Sequence, residues 1–238
     1  MIATAVFDLL LPTICVACDA PTPSRALVCD ACWGRVPPLP APQCERCGHP
    51  TRGASCEFCA ALPDFVRAAR SVCWVPAPVP SAALRALKYD GWAAVATEMA
   101  VRMARLSWPA DVVAERTAVV PVPLARGRIR ERGYNQAALL ARHIAGYWRI
   151  PCWEDAVVRA RETGTQTRLT PSERSTNVHH AFRAADDVRL RLPGAHLVLV
   201  DDVLTTGATL NAAASSLFDA GARIISYLTF GRARSATD

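Results

Sequence analysis

After Pro63 the pattern of apolar and polar positions becomes one of alternating strands and helices. VRAARSVCWV (66–75) reads as a strand, PAPVPS as a turn or linker, and SAALRALKYDG (81–91) as a short helix stopped at Asp90-Gly91. Residues 93–106 place Val95, Met99, Met103 and Leu106 on one helical stripe. AVVPVP (118–123) predicts a strand that ends at prolines. Asn135 is a good N-cap for a helix carrying Leu140, Ile144 and Trp148 one turn apart. LVLV (197–200) is the uninterrupted apolar run of a strand buried on both faces. Leu210, Ala214 and Leu217 then share a helix face, Gly221 supplies a stop, and IISYLTF (224–230) gives another strand. This repetition predicts an α/β fold with an open, mostly parallel sheet.

The first 63 residues read differently. Eight of the ten cysteines form four C-x-x-C pairs: Cys15/Cys18, Cys29/Cys32, Cys44/Cys47 and Cys56/Cys59. Each pair puts two thiolates on one tight knuckle, and two knuckles fill one tetrahedral Zn²⁺ site. Disulfide or redox use is the alternative, disfavoured in a reducing compartment. Consecutive pairing gives two small ribbons in series; spacing also allows a crossed brace. Pro12, Pro21, Pro23, Pro37, Pro38, Pro40 and Pro42 leave little room for regular elements, so metal must supply most of the stability there. His49 is either a replacement ligand or a turn cap. Cys73 and Cys152 stand in apolar contexts and read as buried core thiols. The expected domains are therefore a cysteine-rich zinc ribbon module, 1–63, and an α/β domain, 64–238.

The chain has 238 residues, 51% hydrophobic and 20% charged, enough for one or two globular domains. No apolar run approaches the ~18 residues of a membrane helix. The apolar start MIATAVFDLLLPTICVAC lacks a basic leader and runs into the first knuckle, so it is expected to be folded, cytoplasmic protein. The formal charge is +6 and uneven: residues 116–183 hold twelve arginines against five carboxylates. That field suits phosphate esters or nucleic acid, or is a solvated basic face. Of 27 basic residues, one alone is lysine, Lys88, which suggests a position where a compact ammonium is needed, or chance.

The chemistry concentrates in LVLVDDVLTTGATL (197–210). In open α/β sheets ligands bind beyond the C-terminal strand ends, where Asp201 and Asp202 fall. The loop from Leu204 to Thr209 leads into a helix N-terminus, which offers free N–H groups to an anion. Thr205, Thr206 and Thr209 add hydroxyls and Gly207 permits close approach. A Walker loop is excluded because its lysine is absent. Two acids beside a phosphate cradle make sense for a ribose 5-phosphate: the loop takes the phosphate and the carboxylates take the 2- and 3-hydroxyls. An acidic strand end followed by a threonine-rich cap is the bland alternative.

VLVDDVLTTGATL closely resembles the PRPP-binding signature of the phosphoribosyltransferases. ALKYDG (86–91), VPVPLARGRIRERGYNQAALLA (120–141), TQTRLTPSERSTNVHHAF (165–182) and the cysteine knuckles resemble the ComF family of competence-associated proteins, over nearly the whole chain. The resemblance implies a phosphoribosyltransferase-like domain behind a double zinc ribbon, and a link to uptake of transforming DNA. It implies that Asp201 and Asp202 bind ribose hydroxyls and hold Mg²⁺ indirectly, and that Ala208 joins Thr205, Thr206, Gly207 and Thr209 around the 5-phosphate.

Arg126, Arg128, Arg130, Arg132 and Gly133 follow a strand and are expected to form a pyrophosphate loop, a solvated basic turn being the alternative; Lys88 is a further point charge nearby. Arg168, Pro171, Arg174 and Asn177 are expected in a flap that closes over the site. His179 and His180 after it read as a surface pair. No recognisable base-binding region is present, so the acceptor is open. Three functions follow: phosphoribosyl transfer to an unidentified acceptor, a PRPP- or nucleotide-regulated adaptor, and single-stranded DNA binding with competence proteins as partners.

Overall fold

The structure is a computed structural model that describes residues 13–22, 26–51, 56–159 and 181–234. Its elements run α1 (Asp30–Gly34), β1 (Val66–Val75), α2 (Pro78–Lys88), α3 (Val95–Ala104), α4 (Ala110–Glu115), β2 (Arg116–Pro121), α5 (Arg126–Arg132), α6 (Gln136–Trp148), β3 (Val157–Arg159), β4 (Phe182–Ala184), β5 (His196–Leu204), α7 (Ala208–Asp219) and β6 (Ile224–Ala233). Four strands pair in parallel in the order β1-β6-β5-β2, and β3 pairs antiparallel with β4. The expected parallel α/β sheet is therefore present. Helix α2 begins at Pro78, earlier than the sequence pattern suggested. Proline needs no intrahelical partner in the first turn and its φ is already helical, so PAPVPS opens the helix. The short elements α1, α4, β3 and β4 were not anticipated from the sequence; each is too short for periodicity to reveal.

Burial on both faces explains the apolar run in β5. Val198 and Val200 face one core with α2, α3 and α6; Leu197 and Leu199 face the other with α7 and the β3–β4 pair. The cysteine ribbons extend these cores. Cys15, Cys32 and Trp33 join the first, and Cys47 and Leu62 join the second. Glu98 of α3 accepts the Leu27 N–H and the Trp33 indole N–H, both at 2.7 Å, while Arg102 lies 3.6 Å from the Trp33 ring centroid. Arg46 donates to the carbonyls of Val66, Leu62 and Pro63. Gly48 sits where a Cβ would come within 2.4 Å of the Ala69 carbonyl oxygen, which is how closely the second ribbon abuts β1. Cys73 is buried as expected, but Cys152 is half-buried.

Chain direction locates the ligand crevice. After β2, helix α6 carries the chain to Cys152, which bridges Val119 in parallel on the outer side of β2. After β5, helix α7 leads the other way, to β6. The two connections diverge between β2 and β5, and such a switch point leaves an opening beyond the strand ends.

His196 opens β5 and is 1% exposed, with Nε2 2.9 Å from Ser226 Oγ. Burial pushes its imidazolium down to about 4 from 6.5. Between those values the unfolded chain binds the proton and the fold does not, so stability falls as pH drops through that window. The loss reaches about 3 kcal/mol at most. Urea midpoints measured at pH 7 and at about pH 4.5 should show this loss, and His196→Gln should reduce it.

Candidate functional site: acid pair, phosphate loop and zinc ribbons

Asp201 and Asp202 emerge from the C-terminal half of β5, at the switch point. The Asp202 N–H donates to Asp201 Oδ1 at 2.8 Å. Burial and then the neighbouring Asp202 charge hold the Asp201 carboxyl well above the usual carboxylate range. Asp202 is 5% exposed, and Lys88 Nζ lies 2.6 Å from its Oδ2. The chain's one lysine thus ends α2 directly over the acid pair. Its place is fixed by Tyr134, whose hydroxyl donates to the Leu87 carbonyl at 2.7 Å. Two stretches far apart in sequence, ALKYDG and RGYNQ, meet through that bond. Asn135 completes the corner: its Oδ1 caps α6 at the Ala137 N–H and its Nδ2 donates to the Val122 carbonyl after β2.

Gly207 has φ +79 and opens α7, with exposed Thr205 and Thr206 before it and Thr209 in the first turn. The left-handed turn reverses the chain so that α7 begins with its N–H groups beside the strand ends. Ala208 is the first helical residue; its N–H approaches Thr206 Oγ1 at 3.4 Å. Asn211 was missed by sequence reading. Its Nδ2 donates to the Ala61 carbonyl at 2.8 Å and its Oδ1 accepts from the Tyr227 hydroxyl at 3.0 Å. It ties the helix that follows the Thr205–Gly207 loop to the second ribbon and to β6. A polar residue in a helix carries no sequence signal for such a role.

The arginine segment departs from expectation. Arg126–Arg132 is a short helix, α5, stopped by Gly133 at φ +85, and none of its residues is buried. Alternate residues on a helix point to opposite sides, so the four arginines cannot converge on one ligand. Arg132 turns toward Tyr89, 5.4 Å from its ring centroid, and with Lys88 lines a cavity of about 350 Å³. Arg126 lines a separate groove with Arg142 and Arg159. Arg168, Pro171, Arg174, Asn177, His179 and His180 lie outside the described residues.

The cysteines pair in series. Cys15, Cys18, Cys29 and Cys32 bring their Sγ atoms within 4.8 Å of one another, and so do Cys44, Cys47, Cys56 and Cys59. Tetrahedral Zn²⁺ with bonds of about 2.3 Å spaces sulfurs roughly 3.8 Å apart. Cys18 to Cys29 is 3.8 Å, and Cys44–Cys59 and Cys47–Cys56 are each 3.4 Å, so both sets fit zinc. Outer contacts orient the thiolates: Arg35 reaches Cys32 Sγ at 2.8 Å, and the Cys29 N–H points to Cys15 Sγ at 3.3 Å. His49 is in neither set; it stacks on Phe58 with centroids 3.5 Å apart. Four cysteines at each site leave no open coordination position, so both are structural. Among the described residues, no helix is long and apolar enough to cross a membrane.

Comparison with known proteins agrees with this division of labour. The profile of the double zinc ribbon domain matches residues 6–63 and that of the phosphoribosyl transferase domain matches residues 129–238. A phosphoribosyltransferase fold behind a double zinc ribbon is thus the class. The DNA utilization protein YhgH of Salmonella typhimurium is 31% identical over 228 residues, 91% of this chain and 96% of that protein. Competence protein F of Haemophilus influenzae is 37% identical over 138 residues, 55% of this chain and 60% of that one. The chain belongs to this ComF/YhgH family. Among solved structures, the glutamine PRPP amidotransferase of B. subtilis complexed with ADP and GMP is 18% identical with a TM-score of 0.41. That likeness covers 61% of this chain and 30% of the amidotransferase chain.

Proposed function

We propose that the chain binds Mg-PRPP in the crevice between β2 and β5 and transfers its phosphoribosyl group to an acceptor, in the uptake or use of DNA. The link to DNA rests on the names of its relatives. The carrying observation is the Asp201–Asp202 pair beside the Gly207-led helix start, with Lys88 held at 2.6 Å from Asp202. In this reading residues 1–63 are the ribbon module and 64–238 the transferase domain. Thr205, Thr206, Gly207, Ala208 and Thr209 hold the 5-phosphate; Asp201 and Asp202 accept the ribose hydroxyls. Arg132 borders the pyrophosphate position, Gly133 ends its helix there, and Lys88 is released to the pyrophosphate as the ligand's hydroxyls engage Asp202. Arg126, Arg128 and Arg130 supply longer-range attraction.

Lys88 already neutralises Asp202, so the acids fit a magnesium ion only together with the ligand's own oxygens. Bound magnesium supplies charge neutralisation of the pyrophosphate oxygens. The reaction forms a bond from an acceptor lone pair to C1, and the C1–O bond breaks with its electron pair leaving on pyrophosphate. The chain's part is to orient and to stabilise charge.

Calorimetric titration of Mg-PRPP into zinc-loaded protein tests the reading. Binding is expected, and absence of binding to folded protein overturns it. Gly207→Val should weaken binding by about tenfold or more. A Cβ at this position meets only ordinary contacts, the nearest Leu204 Cδ1 at 3.6 Å, so the left-handed backbone alone costs a side chain about 1–2 kcal/mol. If PRPP binds but no acceptor releases pyrophosphate, the adaptor reading takes over.

A second reading has its own observation. Tyr89 and Trp92 are 67% and 49% exposed, and the Arg132 guanidinium at the end of α5 lies 5.4 Å from the Tyr89 ring centroid. Aromatic faces beside cations suit single-stranded DNA. Affinity for an oligonucleotide that falls steeply with salt, and falls again in Trp92→Ala, would support it.

A further inference from the structure

A second cavity, of about 360 Å³, lies on the other side of the strand ends from Lys88. Its walls come from two sources. One is the end of β5 and β6: Leu204, the Thr205–Gly207 loop, Arg232 and Arg234. The other is the second zinc ribbon, through Phe58, His49 and Leu62. Phe58 and His49 make a flat double layer, 3.5 Å apart at 10°, and Trp74 braces His49 edge-on at 5.5 Å. Arg234 lies over Trp74 at 6.0 Å, and Arg232, 5% exposed, donates to the carbonyl of the zinc-site residue Cys47.

Displacement at C1 requires the incoming and leaving groups on opposite sides of the sugar, so a transferase site needs two chambers flanking its ribose subsite. The chamber at Lys88, Tyr89 and Arg132 is built by α2 and α5, with α2 packed on one face of the sheet. The chamber at Phe58 is built by the second ribbon and the start of α7, which pack on the other face. The first is polar and mixed in charge, with Lys88 and Arg132 beside Asp90 and Glu131, and its two cations are what it offers to pyrophosphate. The second has an aromatic floor, an aliphatic rim and two guanidinium groups. Its size is at the lower end of small-molecule sites. Stacked rings favour a flat ligand, and guanidinium forks favour oxygens in the ligand plane.

Resting on the ribose-phosphate reading above, we propose that the second zinc ribbon builds the acceptor pocket, and that the acceptor is a planar nitrogen heterocycle carrying carbonyl or anionic oxygen. A ring nitrogen supplies the electron pair that forms the bond to C1, pyrophosphate departs with the C1–O pair, and the nitrogen's proton passes to solvent. The ribbon is then a wall of the site and not an appendage.

The product of such a transfer is a nucleoside 5′-monophosphate, which provides the probe. UMP, GMP, AMP and ribose 5-phosphate are titrated separately into full-length, zinc-loaded protein, with zinc content and melting checked for each variant. At least one nucleotide is expected to bind about tenfold tighter than ribose 5-phosphate. Phe58→Ala should remove most of that advantage and Arg234→Gln about threefold of it. Ala61→Trp, which fills the cavity, should abolish it. In Phe58→Ala and Arg234→Gln ribose 5-phosphate affinity should hold within about twofold.

Nucleotides no tighter than ribose 5-phosphate, or an advantage that survives all three substitutions, would overturn the pocket while leaving the phosphate loop intact. Nucleotide binding that depends on Phe58 with no binding of ribose 5-phosphate or PRPP would keep the pocket and remove the ribose-phosphate reading. No binding of any probe to folded protein overturns both.

Discussion

Asp202→Asn is expected to weaken Mg-PRPP binding by about two orders of magnitude, the equivalent of roughly 2.7 kcal/mol. The substitution removes a carboxylate that is 5% exposed and already fixed in position by its strand. It also leaves the Lys88 ammonium, 2.6 Å away, without its counter-charge, so the cation repels bound metal where it was formerly neutralised. Lys88→Met tests the other half. It frees Asp202, so ribose 5-phosphate should bind as well as before, whereas PRPP loses a cation for its pyrophosphate. Equal PRPP affinity in wild type and Asp202→Asn, with both folded, would sink the assignment. Asp201 makes a stability contrast. Its carboxyl is held above the ordinary value of 3.8 by burial and by Asp202. The folded protein therefore binds more protons than the unfolded chain above pH 3.8, and ligand-free stability falls as pH rises toward the elevated value. Asp201→Asn should accordingly raise the melting temperature of the ligand-free protein near neutral pH while lowering PRPP affinity. Thermal melts with and without ligand separate the two effects.

Loss of the second zinc site, by Cys47→Ser, is expected to lower the melting temperature by about 10 °C or more. A ribbon tethered loosely to its neighbour would melt alone and leave the larger domain unchanged. Here Cys47 is 2% exposed and shares a core with Leu197, Leu199, Ile225 and Tyr227. Its carbonyl accepts from Arg232 of β6, and Arg46 beside it donates to the carbonyls leading into β1. Unfolding of the knuckle thus uncovers the sheet. Cys32→Ser should act in the same direction through the other core, where Cys32 and Trp33 pack with α3. Calorimetric melts of the variants, with zinc counted, read the effect. A variant that loses one zinc yet melts like wild type would show that the ribbon is dispensable to the fold.

The sequence alone determined the local features. Strands β1, β2, β5 and β6 and helices α3, α6 and α7 were legible because their apolar periodicity reflects which faces are buried. The C-x-x-C knuckles and the DDVLTTGAT stretch were legible because their chemistry needs neighbours in sequence. Tertiary structure decided what depends on distant partners. It chose series pairing of the knuckles over the crossed brace, since spacing alone fits both. It made a helix of Arg126–Arg132, which scatters arginines that a loop could have gathered. It brought Lys88 onto Asp202 across 114 positions, and placed Asn211 and Phe58 beside the Thr205–Gly207 loop. Such contacts follow from strand order and the packing of whole faces. Those are set by the sum of many burials across the chain and leave no pattern within any short stretch.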